Sequence, residues 1–253
     1  MSEFFTPFPK LLYQFGNGET TSLFQNISAF SSLVDEIKDD VTFHTTVTIN
    51  DGERADTLSH KLYGTDEYYW TFYFLNDDIR ESGWPIEQSK IFDLAKKIYP
   101  NRVLITRADI SKTFLPGDEV RGIISGARGI VVKRYLDLGQ IVVSKLNTIN
   151  YRTSELIQPY KPDGTTNIGD RISIESNQNQ YDSVHHYENA SKEFTDIDPF
   201  TQAGADASAL GLTPITYLDR MIEKNDNLRE IKVFLPNIVG QVQTEFARLM
   251  RDG

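Results

Sequence analysis

The sequence predicts an α+β protein: a small β-α-α-β module, a small β-barrel-like domain, extended arms and a C-terminal docking helix. Three observations lead there. Residues 48–76, TINDGERADTLSHKLYGTDEYYWTFYFLN, join a turn to two helical patterns with a glycine between them. Residues 111–157 hold short β-branched runs at intervals of about ten residues, parted by glycines. After Pro236, the residues Ile238, Val239, Val242, Phe246, Leu249 and Met250 fall on one helical face. The chain is accordingly divided into segments 1–42, 43–108, 109–158, 159–212 and 213–253.

In the first segment Phe4, Phe5, Phe8, Tyr13 and Phe15 surround Pro7 and Pro9. Prolines at that spacing exclude a helix, so residues 1–20 read as an extended aromatic arm, to be covered by its own domain or by a neighbour. Leu23, Ile27, Phe30, Val34 and Ile37 then suit one face of a short helix. Residues 43–49 alternate and are rich in threonine and valine, as a strand entering the module would be. Asn50, Asp51 and Gly52 turn the chain, and Leu58 and Leu62 sit one turn apart on the first helix. Gly64 stands where that helix needs a left-handed cap. Thr65, Asp66 and Glu67 open the second helix, because its unpaired N–H groups favour acceptors and negative charge. This helix carries Tyr69, Trp70, Tyr73 and Phe74 and ends near Asn76. It is aromatic on nearly every side, so part of it is core and the rest has to meet another domain or subunit. A polar loop follows. Pro85 opens a third helix with Ile91, Leu94, Ala95 and Ile98, Pro100 stops it, and residues 103–106 read as a strand closing the module.

The short runs around Val120, Ile123-Ile124, 130–132 and 141–143 predict a small sheet or SH3-like barrel, with Gly126, Gly129 and Gly139 as turn residues. Those glycines lack the lysine pattern and the helix N-terminus that cradle a phosphate. Residues 158–212 are the most polar stretch. One strand is expected at 171–175, and the remainder reads as an arm ordered by partners. Thr216 and Asp219 form a capping-box-like helix start, residues 231–234 read as a strand, and Pro236 opens the final helix. So full an apolar stripe docks on something.

The 253 residues suffice for one large or two small cores. With 26 basic and 36 acidic residues the net charge is -10, which argues against a nucleic-acid partner. The absence of cysteine removes disulfides, thiolate metal sites and cysteine nucleophiles, and fits assembly in a reducing cytoplasm. The N-terminal residues do not read as a signal peptide, and no run approaches the roughly 18 apolar residues of a membrane span, so the chain is read as soluble, without a membrane partner. Among the histidines His44, His60, His185 and His186, only His185-His186-Tyr187-Glu188 forms a cluster. Neighbours on a strand point to opposite sides and do not converge on a metal, which leaves a structural or interface role. The acid pairs, such as Asp77/Asp78 and Asp196/Asp198, read as solvated surface, and no G-x-S-x-G elbow occurs. No catalytic residue, cofactor or metal is assigned, and the chain is read as non-enzymatic.

Gly52, Asp56-Thr57-Leu58, Tyr63-Gly64 and Asn76 together resemble the LysM module. A longer succession resembles the baseplate wedge protein of T4-like contractile-tailed bacteriophages. It comprises GERADTLSHKLYGTDEYYWTFYFLND with Trp84-Pro85, then His185-His186-Tyr187-Glu188, then PITYLDRMIEKNDNLREIKVFLPNIVGQVQTEF. In the last stretch Asn225, Arg229, Ile231, Lys232, Val233, Pro236, Glu245 and Phe246 match the family's closing pattern. The β region at 111–157 resembles the small domain that longer relatives carry ahead of the His-His-Tyr segment.

The resemblance implies a structural virion protein of the tail baseplate, assembled in the host cytoplasm. It would join neighbouring wedges into a closed ring around the hub, touching other wedge subunits and hub or sheath-initiating proteins. On that reading the interface candidates are Phe4, Phe5, Phe8, Tyr69, Trp70, Tyr73, His185, His186, Tyr187, Arg229, Lys232, Val242, Phe246 and Leu249. The rival expectation is a LysM protein that binds peptidoglycan or chitin-type glycans between loops 51–55 and 77–82. Two expectations are measurable. Trp70→Ala costs about 3–5 kcal/mol if that ring is core, and deleting residues 237–253 leaves the module folded but blocks incorporation into particles.

Overall fold

The computed structural model describes residues 10–14, 21–25, 43–166, 168–202 and 205–252. Among them helices and antiparallel ladders are mixed in an α+β architecture. The described chain forms two compact units, one drawn from Met1–Gln88 and Lys224–Gly253, the other from Ser89–Glu223. In the first, β1 (Lys10–Gln14) and β2 (Thr21–Gln25) pair antiparallel. Leu23 therefore sits in a strand, where a helix was expected. The remainder of that helix lies outside the described residues, as do Phe4, Phe5 and Phe8.

β3 (His44–Thr48) enters the module where its alternation places it, and α1 (Ala55–Tyr63) follows. α1 ends on Gly64, whose φ of 76° carries no Cβ penalty in glycine and whose N–H reaches His60 O at 2.9 Å. α2 (Trp70–Leu75) starts later than the acids at 66 and 67 suggest. The Glu67 N–H donates to the Thr65 hydroxyl at 3.3 Å and the Tyr69 N–H to Asp66 O at 3.4 Å, so turns use these groups before the helix begins. Asn76 stops α2 by donating its side-chain amide to Phe72 O at 2.8 Å. The stretch beyond, expected as a loop, is α3 (Asp77–Ser82). Asp77 and Asp78 fill its first turn, Arg80 pairs with Asp77 at 2.7 Å, and Ile79 is buried. Acids at a helix N-terminus stabilise it, whatever their look of a polar loop. α4 (Gln88–Ile98) begins beyond Pro85, with Ile91 and Ala95 buried and Leu94 and Ile98 exposed.

The second unit is built around a seven-stranded antiparallel sheet. Its strands are β4 (Arg102–Ile105), β5 (Glu119–Gly122), β6 (Arg128–Tyr135), β7 (Gln140–Lys145), β8 (Leu156–Tyr160), β9 (Ile172–Ser173) and β10 (Ser176–Asn179). They lie in the order β10-β4-β7-β6-β5-β8-β9 and curl into a half-barrel over a core that includes Leu104, Phe114, Val120, Ile141 and Ile157. The outermost strands, β9 and β10, belong to one segment, so residues 172–179 line both edges. Ile174 N–H bonds Glu155 O at 3.1 Å, and Glu175 N–H bonds Ile105 O at 2.7 Å. β4 does not close the module as expected; it lies between β7 and β10.

Ile123 and Ile124, expected as strand, form a turn. The buried Glu155 carboxylate accepts from Ile124 N–H at 3.2 Å, Ser125 N–H at 2.9 Å, the Ser125 hydroxyl at 2.8 Å and Arg152 N–H at 2.5 Å. Gly129, expected in a turn, lies within β6, where a Cβ would come within 2.6 Å of Ser144 O. Its use there is close approach. The polar residues of β10 hold their strand through side chains. Arg102 donates to the amide oxygens of Asn177 and Asn179, and Asn177 donates to Tyr151 O at 2.6 Å.

A three-stranded sheet follows, with β11 (Val184–Glu188) between β12 (Phe194–Thr195) and β13 (Thr213–Thr216), and α5 (Ala205–Ala209) before β13. The polar stretch 159–212, expected as an arm with one strand, thus contributes strands to two sheets. Thr216 and Asp219 cap α6 (Tyr217–Asn227) reciprocally, each N–H donating to the other's side chain at 3.0 Å.

The chain then returns to the first unit. β14 (Glu230–Phe234) pairs with β3, so the module's closing strand comes from the far end of the sequence. α7 (Val239–Asp252) lays Val239, Val242 and Phe246 against Trp70, Phe74, Leu75 and Phe234. Two expectations are corrected by this. Those apolar residues dock on their own unit, and removing 237–253 takes away part of the module's core.

Candidate functional site

The first unit contains a groove of about 450 Å³ lined by Arg54, Ala55, Asp56, Asp66, Tyr69, Tyr73 and Trp84. Tyr69, Tyr73 and Trp84 are partly buried against the core formed by Ile49, Leu58, Phe72, Ile79, Ile231 and Val233. Trp84 is fixed twice. Its Nε1–H donates to Glu53 O at 2.7 Å, and its ring packs on Phe72 with centroids 5.9 Å apart. Tyr73 meets Trp84 at 5.8 Å with planes inclined by 49°, which makes a corner and not a flat platform. Arg54 closes on Asp56 through bonds of 3.1 and 2.8 Å and holds that carboxyl below its usual range. The Asp66 carboxylate has no ion-pair or hydrogen-bond partner among the described residues.

Most other interface candidates in this unit have internal tasks. Trp70, Val242 and Phe246 are only 7%, 9% and 5% exposed, and the rings of Trp70 and Phe246 lie 4.9 Å apart. Arg229 bridges Asp51 at 2.6 Å and Asp226 at 3.1 Å. That guanidinium, then the Gln88 N–H, hold the Asp51 carboxyl below its usual range. Lys232 is gripped by its backbone: its N–H donates to the Asn76 side chain and its C=O accepts from it, both at 2.8 Å. Asn225 does the same for Ile86, at 2.8 and 3.0 Å. A primary amide presents a donor and an acceptor side by side, so each asparagine acts as a short stretch of neighbouring strand. The Lys232 side chain itself is exposed.

In the second unit, His185 and His186 overturn the expectation that they diverge: their Nδ1 atoms lie 2.9 Å apart. The β11–β13 ladder is irregular between Val184 and His186, and such a bulge brings both rings to one side. Donor order fixes the tautomers. Arg220 only donates, so His185 Nε2 accepts from it at 2.7 Å and His185 carries its proton on Nδ1. His186 Nδ1 accepts that proton's hydrogen bond, and its Nε2–H donates to Glu188 at 3.0 Å. Burial foremost, then the charges of Arg220 and Lys133, push His185 below the ordinary histidine pKa. His186 stacks on Phe194 at 5.4 Å, and Tyr187 is buried with Leu138, Ile197 and Ala207.

Tyr69 and Tyr73 stand out in the sequence, whereas Trp84 has there only a place in a pattern, Asp66 only that of a helix opener, and Arg220 no role. A tryptophan before a proline, following a helix end, was the available signal for the groove. The side chain of Leu249 lies outside the described residues. Among those residues no group of three or more His, Cys, Asp or Glu is placed to hold a metal ion, and no helix is long and apolar enough to cross a membrane. No known protein-family model matches the chain, and no curated protein matches it at a significant level.

Proposed function

We propose that the first unit is a LysM-like module and that the chain is a structural component of a contractile phage tail baseplate, clamping neighbouring wedges around the hub. One observation carries this reading. Of the stretches that resemble the wedge family, 52–77 with Trp84-Pro85 and the part of 214–246 from Lys224 onward fold into one unit, while His185–Glu188 and 214–223 belong to the other. Asn76 grips Lys232 across 156 positions of sequence, Asp51 pairs with Arg229, and Trp70 packs on Phe246. Two chance matches have no reason to become structural partners; a module split by an insertion does. β3, α1, α2 and β14 also follow the β-α-α-β order that a LysM-like module has. On this reading the partners are other wedge subunits, neighbouring wedges, and hub or sheath-initiating proteins, and several weak contacts acting together supply the avidity of a clamp.

The test is crosslinking and mass spectrometry of purified tails from infected cells. Crosslinks from this chain to subunits of two adjacent wedges are the expected result, and virions without the chain would overturn the proposal. The groove walled by Tyr69, Tyr73 and Trp84 favours one other reading, a LysM protein for peptidoglycan or chitin-type glycans. Retention of the purified chain on either polymer would speak for it.

A further inference from the structure

We propose that the groove of the first unit receives one cationic side chain, lysine or arginine, presented by an extended segment of a partner protein. This rests on the chemistry of the groove and not on the tail-assembly reading, so either can fail alone.

Three features select this occupant. The first is the shape of the walls. Tyr73 and Trp84 meet at 49° with centroids 5.8 Å apart, and Tyr69 lines the same groove. Inclined rings present their negative faces to a compact cation from more than one side, whereas a pyranose stacks best on one flat, open face.

The second is the charge balance. Arg54 is held by both oxygens of Asp56, which leaves the Asp66 carboxylate uncompensated among the described residues. The groove thus carries one net negative charge, and a guanidinium or ammonium entering it meets a carboxylate and aromatic faces together. The -10 charge of the whole chain favours approach of a basic partner.

The third is the commitment of Trp84. Its N–H is already bonded to Glu53 O at 2.7 Å and its ring is backed by Phe72. The indole therefore offers a face, held in place before any ligand arrives, and no spare donor for a sugar hydroxyl. A wall fixed in advance lowers the ordering cost of binding.

The experiment is an NMR titration of the full chain, following the Trp84 indole N–H and the Tyr69 and Tyr73 ring signals. The probes are acetyl-Gly-Arg-Gly-amide and its lysine counterpart, a citrulline peptide that keeps the shape of arginine without its charge, and the trisaccharide of N-acetylglucosamine. Saturable shifts at Trp84 and Tyr73 with the cationic peptides are expected, with affinity for the citrulline peptide about three- to tenfold lower. Asp66→Asn, at an exposed position, should weaken the cationic peptides by a similar factor with the remaining spectrum unchanged, and Tyr73→Leu provides a second variant. Equal binding of the citrulline peptide, no effect of Asp66→Asn, or no saturable shift at Trp84 would each overturn the proposal. So would the trisaccharide moving the same signals more strongly than either peptide, and that outcome would assign the groove to glycans.

Discussion

The two units reach a folded core by opposite routes. In the second, β5, β6 and β7 follow one another through short turns, and mainly aliphatic side chains meet beneath the curled sheet. The pairings at the middle of its sheet, β5 with β6 and β6 with β7, are local, whereas β4 pairs β7 and β10, and β5 pairs β8, at long range. In the first, β3 waits for β14, and a cluster rich in aromatic rings (Trp70, Phe74, Phe234 and Phe246) joins residues from both ends of the sequence. A ladder of hairpins is specified by alternation and turn chemistry. A split module is specified by side chains that recognise distant backbone, as Asn76 and Asn225 do.

The comparison can be broken most directly at Trp70. Trp70→Ala should cost about 3–5 kcal/mol in urea unfolding, because the ring is 7% exposed and contacts Phe246 and Phe74. An unchanged midpoint would remove the aromatic core from the account. Truncation after Leu235 should act in the same direction, with loss of amide protection in β3.

The next largest effect is expected in the second unit. Glu155→Ala removes the buried acceptor of the part-buried bonds from the Ile124, Ser125 and Arg152 N–H groups, for a cost of about 2 kcal/mol. Hydrogen exchange should rise at residues 122–126 and 152–156; protection equal to the wild type would show that this unit does not depend on the carboxylate. Asn76→Ala sharpens the contrast from the other side. It removes both bonds to the Lys232 backbone and one to Phe72 O, at about 2 kcal/mol, and a loss near zero would mean that β3–β14 pairing suffices without the asparagine.

The smallest effect concerns pH. The folded pKa of His185 lies below the ordinary value of 6.5, so the unfolded chain binds the proton first as pH falls. The stability that the neutral ring contributes is complete above 6.5 and is lost as pH drops through the folded value. Ring nitrogen shifts should report a neutral His185 with its proton on Nδ1 at pH 6.5. Half-protonation at that pH or above would refute the Arg220–His185–His186–Glu188 order.

What was legible in the sequence follows the same divide. Gly64 as a cap, Thr216 with Asp219 as a capping pair, and the strands at 44–48 and 230–234 were all readable, since each depends on residues within a few positions. The module's closing strand was not. Residues 103–106 and 231–234 are equally good apolar, β-branched runs, and only the partner tells them apart. The strand at 176–179 was hidden for a related reason, because Arg102 and Tyr151 supply from afar the bonds that its polar side chains make. The convergence of His185 and His186 depends on a bulge, for which residues 184–188 hold no glycine or proline to give warning. Of the groove, its tyrosines were visible and its shape was not, because the tilt of Trp84 is set by Glu53 O and Phe72.

The antiparallel pairing of β14 with β3 also has a meaning in time. A ribosome has to make the whole of the second unit before the entering strand finds its mate, and contacts so remote in sequence form slowly. Any copy aborted before Glu230 presents an unmatched strand edge and bare rings to chaperones and proteases. Synthesis through Phe234 thereby becomes a condition for pairing β3.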